Sequence, residues 1–189
     1  MLIALFPYLV APVIAAMIWN QIYARIIPSL ADIYGLSFLQ ISPLARPETA
    51  LVAVTVVDLW MLIPFSTMLF WSALQTIPRE LIDEAAVAGA NSVQVFRYVS
   101  WPFLVPTMGL LTTIIVAYSL AHIDTIMALT GGGPGRATET VFFVIYKNST
   151  ADQRHGYGLA EAVVVSCVSV MIFVALRRLT NSSNVTELR

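Results

Sequence analysis

The chain has 189 residues, of which 58% are hydrophobic and only 11% are charged. Soluble domains carry about 25% charged residues, so this composition argues against a water-soluble globular protein. The formal net charge of −1 gives no basic field for nucleic acid, and a single cysteine excludes an internal disulfide or a cysteine-based metal cluster.

Four charge-poor runs are each long enough for a bilayer-spanning helix, which needs roughly 20 apolar residues. They predict an all-α integral membrane protein with one transmembrane domain over residues 1–189. The first run has no charged residue before Arg25, which favours a retained span over a signal peptide, the alternative. The predicted spans are residues 2–19, 49–74, 99–121 and 157–176, and the polar segment 20–48 is expected to lie on the membrane interface.

The fourth span contains one acidic residue, Glu161. A carboxylate in mid-bilayer costs about 2.5–3.5 kcal/mol, and each large apolar residue returns about 0.3–0.6 kcal/mol. The apolar residues of this run therefore favour insertion. Gly158, Ala162 and Ser166 recur every four residues, which predicts close approach of another helix.

Four spans put both termini on one side of the membrane, but charge does not say which side. The arginine and lysine residues divide evenly between the two sides, so the positive-inside rule gives no orientation.

The segment 77–97 predicts two short helices outside the bilayer. Pro78 suits the first turn of a helix, Gly89 ends that helix, and Asn91 with Gln94 fits a capping box for the next one. Alanines and a glycine make the turn narrow. Composition leaves two interpretations open: a knob that inserts into a cleft of another protein, or an ordinary surface hairpin.

Two motifs resemble a known family. The run Glu84-Ala-Ala-x-x-Gly89, followed by Pro102 and Pro106, resembles the "EAA" loop of bacterial ABC-importer permeases, and its flanks resemble the sugar-importer branch. The run Leu129-Thr-Gly-Gly-Gly-Pro134 resembles the external loop before the last span of such permeases. The resemblance covers nearly the whole chain, although members of the family usually have two further spans at the N-terminus.

The resemblance implies an inner-membrane permease subunit that imports a sugar or a glycerol-phosphate-like solute by alternating access. Its implied partners are a sister permease, ABC ATPase subunits and a soluble solute-binding protein, in addition to membrane lipid. It also implies that the 77–97 loop and both termini are cytoplasmic. The residues expected to couple to the ATPase are Glu84, Ala85, Ala86, Gly89, Arg79 and Arg97, with the two arginines as candidate partners for the carboxylates.

The solute path is expected on the second and third spans, as in related permeases. An intramembrane carboxylate indicates a functional group or a buried pair, an aromatic ring can stack on a sugar, and hydroxyls can bond sugar hydroxyls. Helix packing and interface anchoring are the alternatives. The candidate residues are Asp58, Trp60, Ser66, Tyr118, Ser119 and Asp124.

Enzyme chemistry is not expected on this chain. Gly131–Gly133 precede Pro134, whereas a phosphate-binding loop needs Gly-Lys-Ser/Thr at the start of a helix, so ATP belongs to a partner and no cofactor is expected here. Two alternatives to an importer remain at this point: a secondary transporter or channel subunit, and a truncated, non-transporting membrane scaffold.

Overall fold

A computed structural model describes the backbone of residues 5–121 and 123–185, with side chains except those of residues 120, 121 and 176–185. Within those ranges the chain forms helices and turns and no strand, which confirms the all-α class. The α-helices are α1 (Phe6–Leu9), α2 (Pro12–Gln21), α3 (Ile27–Tyr34), α4 (Pro47–Gln75), α5 (Arg79–Val87), α6 (Ser92–Val95), α7 (Trp101–Ala121), α8 (Asp124–Leu129), α9 (Val141–Tyr146) and α10 (His155–Val185).

Three π-helical segments and two 3₁₀ turns connect some of these helices. The π segments are Ile22–Ile26, Phe96–Ser100 and Lys147–Ala151, and the 3₁₀ turns are Ser37–Leu39 and Pro43–Ala45. Four helical stretches in the described residues are long and apolar enough to cross a membrane. They are Pro12–Tyr34, Pro47–Gln75, Ser92–Ser119 and His155–Ala175.

The first membrane-length helix lies later in the chain than the predicted span 2–19, part of which falls outside the described residues. It begins at Pro12, which follows extended backbone at Ala11 and suits a first turn because it has no N–H to bond. It continues past Arg25 to Tyr34, so residues 20–34 are helical rather than a separate interfacial segment. The wider turn of the preceding π segment accommodates Pro28.

The described residues divide into two compact units: those of Met1–Pro64 with Ser119–Ser169, and those of Phe65–Tyr118 with Val170–Arg189. The first unit has a core built by α2, α4, α8, α9 and the first π segment. The phenol of Tyr23 donates a buried 3.0 Å hydrogen bond to the Ala53 carbonyl. The buried core residues are Ala16, Tyr23, Ala53, Val54, Val57, Ile126, Leu129 and Phe143.

The second unit contains the end of α4, the 77–97 segment, most of α7 and the end of α10. Leu104 and Leu111 are buried and lie two turns apart on α7, and Ile77 is buried just before α5 begins. Most of the remaining apolar side chains on α7 and α10 are half-buried or exposed, as expected for helices that lipid or a partner covers.

Candidate functional site

The first helix of the 77–97 segment ends in a glycine turn, as predicted. Gly89 has a φ of +77°, a left-handed conformation that glycine adopts without a Cβ clash. The Gly89 amide donates to the Ala86 carbonyl and the Ala90 amide donates to the Ala85 carbonyl, both at 3.0 Å. These two bonds make a Schellman motif, which satisfies the last carbonyls of α5 and reverses the chain.

The second helix of the segment begins with a complete capping box. The Gln94 amide donates to the Asn91 side-chain oxygen at 2.9 Å, and the Asn91 amide donates to the Gln94 side-chain oxygen at 2.8 Å. This confirms the predicted glycine turn and capping box, but the capped helix is not a separate short one, because it continues through Phe96–Ser100 into α7 as the membrane-length stretch Ser92–Ser119. We call residues 77–97 the hairpin. Because hydrogen bonds fix both sides of its turn, the hairpin is a firm local structure.

The hairpin is exposed over most of its surface. Val87 and Val93, on either side of the turn, are 90% and 73% exposed, and Glu84 is also exposed. An apolar tip of this kind indicates contact with another surface, because isolated soluble turns are usually polar. All six predicted coupling residues lie on this hairpin, and only Ala85 among them is half-buried.

The sequence suggests two arginines of the hairpin as partners for its carboxylates, Glu84 among them. Arg79 begins α5 and Arg97 lies in the π segment after α6, and both are exposed. In the residues that the structure describes, neither arginine forms an ion pair with Glu84. The backbone bonds and the capping box hold the turn.

The six predicted solute-path residues fall in both units, and their role stays a prediction. In the first unit, Asp58 and Trp60 are half-buried on α4, whereas Asp124 is exposed at the start of α8. Trp60 packs edge-on against Trp19, with ring centroids 5.8 Å apart, so helix packing occupies part of its surface. Ser119, at the end of α7, also belongs to the first unit and is exposed. Ser66 and Tyr118 belong to the second unit and are half-buried.

The loop between α8 and α9 folds around a buried threonine. Thr138 is 0% exposed, and its hydroxyl lies 2.7 Å from the Thr130 hydroxyl and donates to the Gly133 carbonyl at 2.8 Å. The Thr138 amide also donates to the Gly132 carbonyl at 3.2 Å. The glycine run therefore serves a tight turn around Thr138, consistent with the sequence argument against a phosphate-binding loop.

A charge cluster that the sequence did not predict follows this turn. Glu139 accepts a 2.6 Å bond from Arg136 Nε and a 3.0 Å bond from Lys147 Nζ, and its side chain is only 6% exposed. The Arg136 hydrogen bond, and then that of Lys147, hold the pKa of Glu139 below its usual value of 4.5. The i,i+3 spacing of Arg136 and Glu139 is a visible signal, but nothing local indicates Lys147.

We expect the Glu139 cluster to lose stability in acid. A carboxyl with a lowered folded-state pKa contributes stability above its unfolded-state value of about 4.5 and loses it as pH falls through the folded-state value. Thermal unfolding of wild type and Glu139→Gln, compared from neutral pH to below about 4.5, should show a difference that is constant above that pH and shrinks below it. Glu80→Gln on the exposed face of α5 is the control, and a parallel pH profile for both variants would contradict the prediction.

The start of α10 is joined to the π segment before it. Asn148 Nδ2 donates a 2.7 Å bond to Glu161 Oε2, and the buried Gly158 lies against Ser149. The carboxylate of Glu161, near the beginning of the helix, therefore has a hydrogen-bond donor in Asn148. The predicted small-residue stripe packs only in part, because Gly158 is buried and Ser166 is exposed.

A groove of about 710 Å³ lies beside these first turns of α10, wholly within the first unit. Its lining is mainly apolar, with three charged side chains. The lining residues are Arg136, Glu139, Thr140, Val141, Val144, Ile145, Tyr157, Ala160, Glu161, Val164 and Val165.

Known proteins resemble this chain over most of its length, although no protein-family model matches it. The multiple sugar-binding transport system permease protein of Streptococcus mutans is 31% identical over 170 residues, covering 88% of this chain and 59% of that protein. The sn-glycerol-3-phosphate transport system permease protein of Rhizobium meliloti is 30% identical, covering 88% of this chain and 57% of that protein. The trehalose/maltose transport system permease protein of Thermococcus litoralis is 30% identical, covering 94% and 58% respectively.

The chain thus spans less than two thirds of the length of these relatives. A crystal structure of a bacterial ABC transporter involved in the import of the acidic polysaccharide alginate shares the fold. The TM-score is 0.84 at 19% identity, over 94% of this chain and 63% of that chain.

Proposed function

We propose that the chain is a transmembrane permease subunit of an ATP-driven importer, because it is homologous to permease proteins of sugar and glycerol-phosphate transport systems and shares the fold of an ABC transporter. Its solute is a sugar or a glycerol-phosphate-like compound, the classes named for the relatives. The homologues are transport permeases rather than enzymes, and they do not favour the alternative of a secondary transporter or channel.

The proposed assembly places the chain in the inner membrane as a multi-pass protein. It pairs with a sister permease, with ABC ATPase subunits that bind ATP, and with a soluble solute-binding protein. The hairpin and both termini face the cytoplasm in this arrangement. The four membrane-length helices support the multi-pass placement, and the homologues support the choice of partners.

The hairpin is the observation that carries the coupling role. It is exposed, its turn is fixed by hydrogen bonds on both sides, and its tip presents Val87 and Val93 to a partner. A rigid knob transmits a push better than a mobile loop, because little of the displacement is lost in rearranging its own backbone. We propose that the hairpin docks in a cleft of the ATPase and that ATP-driven closure of the ATPase moves α4 and α7.

The proposed coupling role of the hairpin is mechanical. The hairpin bonds no nucleotide, and Glu84 contributes as an exposed charge that can accept hydrogen bonds from the ATPase. The two predicted solute-path residues on α4 in the first unit, Asp58 and Trp60, are proposed to lie on the path that this movement opens. Alternating access then follows from a change in the helices around the path, while the solute site stays on the permease.

We expect Glu84→Lys to weaken binding of the ATPase by roughly tenfold or more, because it reverses a charge at the proposed contact. Co-purification of the ATPase with the full chain from membranes measures the effect. Glu80→Lys is a matched control, since Glu80 lies on the same exposed helix one turn earlier and makes the same change of charge.

Gly89→Trp tests the same contact by bulk and by turn geometry, because it adds a large side chain in open space and strains a turn whose φ of +77° favours glycine. Full retention of the ATPase by both Glu84→Lys and Gly89→Trp would remove the coupling assignment. Solute uptake that continues in cells without the ATPase would instead favour a secondary transporter.

A further inference from the structure

Three exposed aromatic side chains lie where the hairpin joins the membrane-length helices. Trp71 lies one turn before the end of α4, Tyr98 follows the hairpin directly, and Trp101 begins α7. They are 54%, 72% and 44% exposed, and all three belong to the second unit. We call them the aromatic belt. Because both helix ends lead into the same hairpin, the three rings lie at the same end of the membrane-length helices.

The polar groups of the belt are available for contacts outside the chain. In the part of the chain that the structure describes, the indole N–H groups of Trp71 and Trp101 and the hydroxyl of Tyr98 form no hydrogen bond. Buried tryptophan and tyrosine usually pair these groups, whereas at a membrane interface the ring contacts apolar groups while its polar atom meets water or headgroups. The belt therefore consists of the residue types that are enriched where bilayer and water meet.

The spacing along α7 puts the belt at the edge of a hydrocarbon layer. From Trp101 to Ser119 the chain has no charged residue, and it extends about 27 Å at 1.5 Å per residue. The hydrocarbon core of a bilayer is about 30 Å thick. The charged residues of the hairpin begin at Arg79 and end at Arg97, and residues 71–78 carry no charge. The boundary between apolar helix and charged hairpin thus coincides with the belt.

The exposed surface of the belt continues along α7. Met108 and Ile115 lie seven and fourteen residues after Trp101, which puts them on the same face of the helix, and both are exposed. This face belongs to a stretch that is long and apolar enough to cross a membrane. The ring of Trp101 packs edge-on against Phe96, with centroids 6.2 Å apart, so its position at the start of this face is supported by a neighbour.

From these observations we propose that the aromatic belt lies in the headgroup layer of the bilayer and holds the hairpin at a fixed height above it. Lipid is the occupant because the belt is continuous with the exposed apolar face of α7 and has the residue types of an interface. Val87 and Val93, at the tip of the hairpin, then lie outside the bilayer. The proposal rests on the membrane placement within the proposed function and does not require the ATPase.

The test measures quenching of tryptophan fluorescence in the full chain, reconstituted in phosphatidylcholine vesicles. One set of vesicles contains lipid with a nitroxide in the headgroup, and a second set contains lipid with a nitroxide near the end of the acyl chain. The fluorescence that Trp71→Phe or Trp101→Phe loses relative to wild type gives the contribution of each ring. We expect the ratio of headgroup to chain-end quenching to exceed one for both contributions.

Two added tryptophans calibrate the depth. Tyr98→Trp should add fluorescence with a quenching ratio above one. Met108→Trp is the matched control, because Met108 lies about 10 Å farther along the same face of α7 and should add fluorescence with a ratio below one. Addition of the ATPase should leave the quenching of the belt unchanged, since the proposed ATPase contact is at the tip of the hairpin.

A quenching ratio below one for Trp71 and Trp101 would overturn the proposal, and so would the absence of quenching by either lipid. Shielding of the two rings from the headgroup nitroxide by the ATPase would also overturn it, because a protein would then cover the belt. If Met108→Trp is quenched and the belt is not, the belt assignment fails while the membrane placement stands. If Met108→Trp also escapes both nitroxides, the proposed function fails as well.

Discussion

Gly132→Ala is expected to lower the free energy of unfolding by about 3 kcal/mol, with two physical causes. Gly132 has a φ of +90°, and left-handed backbone costs a residue with a Cβ roughly 1–2 kcal/mol. The added Cβ would also lie 2.6 Å from Phe143 Cε1 and 3.0 Å from Glu139 Cγ, and overpacking of this kind costs about 1–3 kcal/mol. Phe143 belongs to the core of the first unit and cannot move aside freely.

Gly131→Ala is the matched control for this change. Gly131 also has positive φ, at +58°, but its added Cβ meets nothing within 4 Å. It should therefore show only the backbone cost of roughly 1–2 kcal/mol. SDS-induced unfolding in mixed micelles measures both variants, and equal losses would show that Phe143 does not limit the space at Gly132.

Gly158→Ala is expected to destabilise the chain by about 1–3 kcal/mol, although the same change in a helix interior ordinarily stabilises it. The added Cβ would overlap the Ser149 side chain, and it would lie 3.0 Å from the Ser149 amide nitrogen. Because backbone as well as side chain blocks the space, rotation of Ser149 cannot relieve the overlap. Displacement of this segment would also stretch the bond between Asn148 and Glu161.

Gly156→Ala is the control, and it is not expected to lower the free energy of unfolding. Its Cβ meets nothing within 4 Å, so removal of glycine from the first turn of α10 should be neutral or stabilising by about 0.5 kcal/mol. The same unfolding measurement applies. A loss of stability in both variants, or in neither, would contradict the close packing of α10 on the π segment.

The hairpin and the loop between α8 and α9 are held by hydrogen bonds of different range along the sequence. The hairpin depends on bonds between residues three to five apart, such as Asn91 with Gln94 and Ala85 with Ala90. Helix caps and glycine turns of this range can be recognised from the residue pattern in the sequence. The Thr130–Thr138 contact and the Lys147–Glu139 bond each join residues eight apart, the first across irregular backbone and the second across α9, and at this separation residue spacing carries little information.

The apolar pattern also predicted the bounds of the first membrane-length helix incorrectly. Hydrophobic composition indicated a span at residues 2–19, but the helix begins at Pro12 and ends at Tyr34, where Gly35 with a φ of +68° caps it. The second and fourth membrane-length helices, Pro47–Gln75 and His155–Ala175, lie close to their predicted positions, since a long apolar run leaves few other places for a helix. The third, Ser92–Ser119, begins well before the predicted residue 99, because the capped helix after the glycine turn continues into it.

By itself, the sequence determined the all-α class, the number of membrane-length helices and the form of the hairpin, because each depends on composition or on contacts within a few residues. Only the tertiary structure decided the groove, the pairing of Glu139 with Lys147 and the contact of Gly158 with Ser149. The bond from Asn20 to the Leu129 carbonyl joins residues 109 apart, and the bond from Asn148 to Glu161 joins residues 13 apart. Such contacts arise from packing between helices, and no local spacing in the chain specifies which of them form.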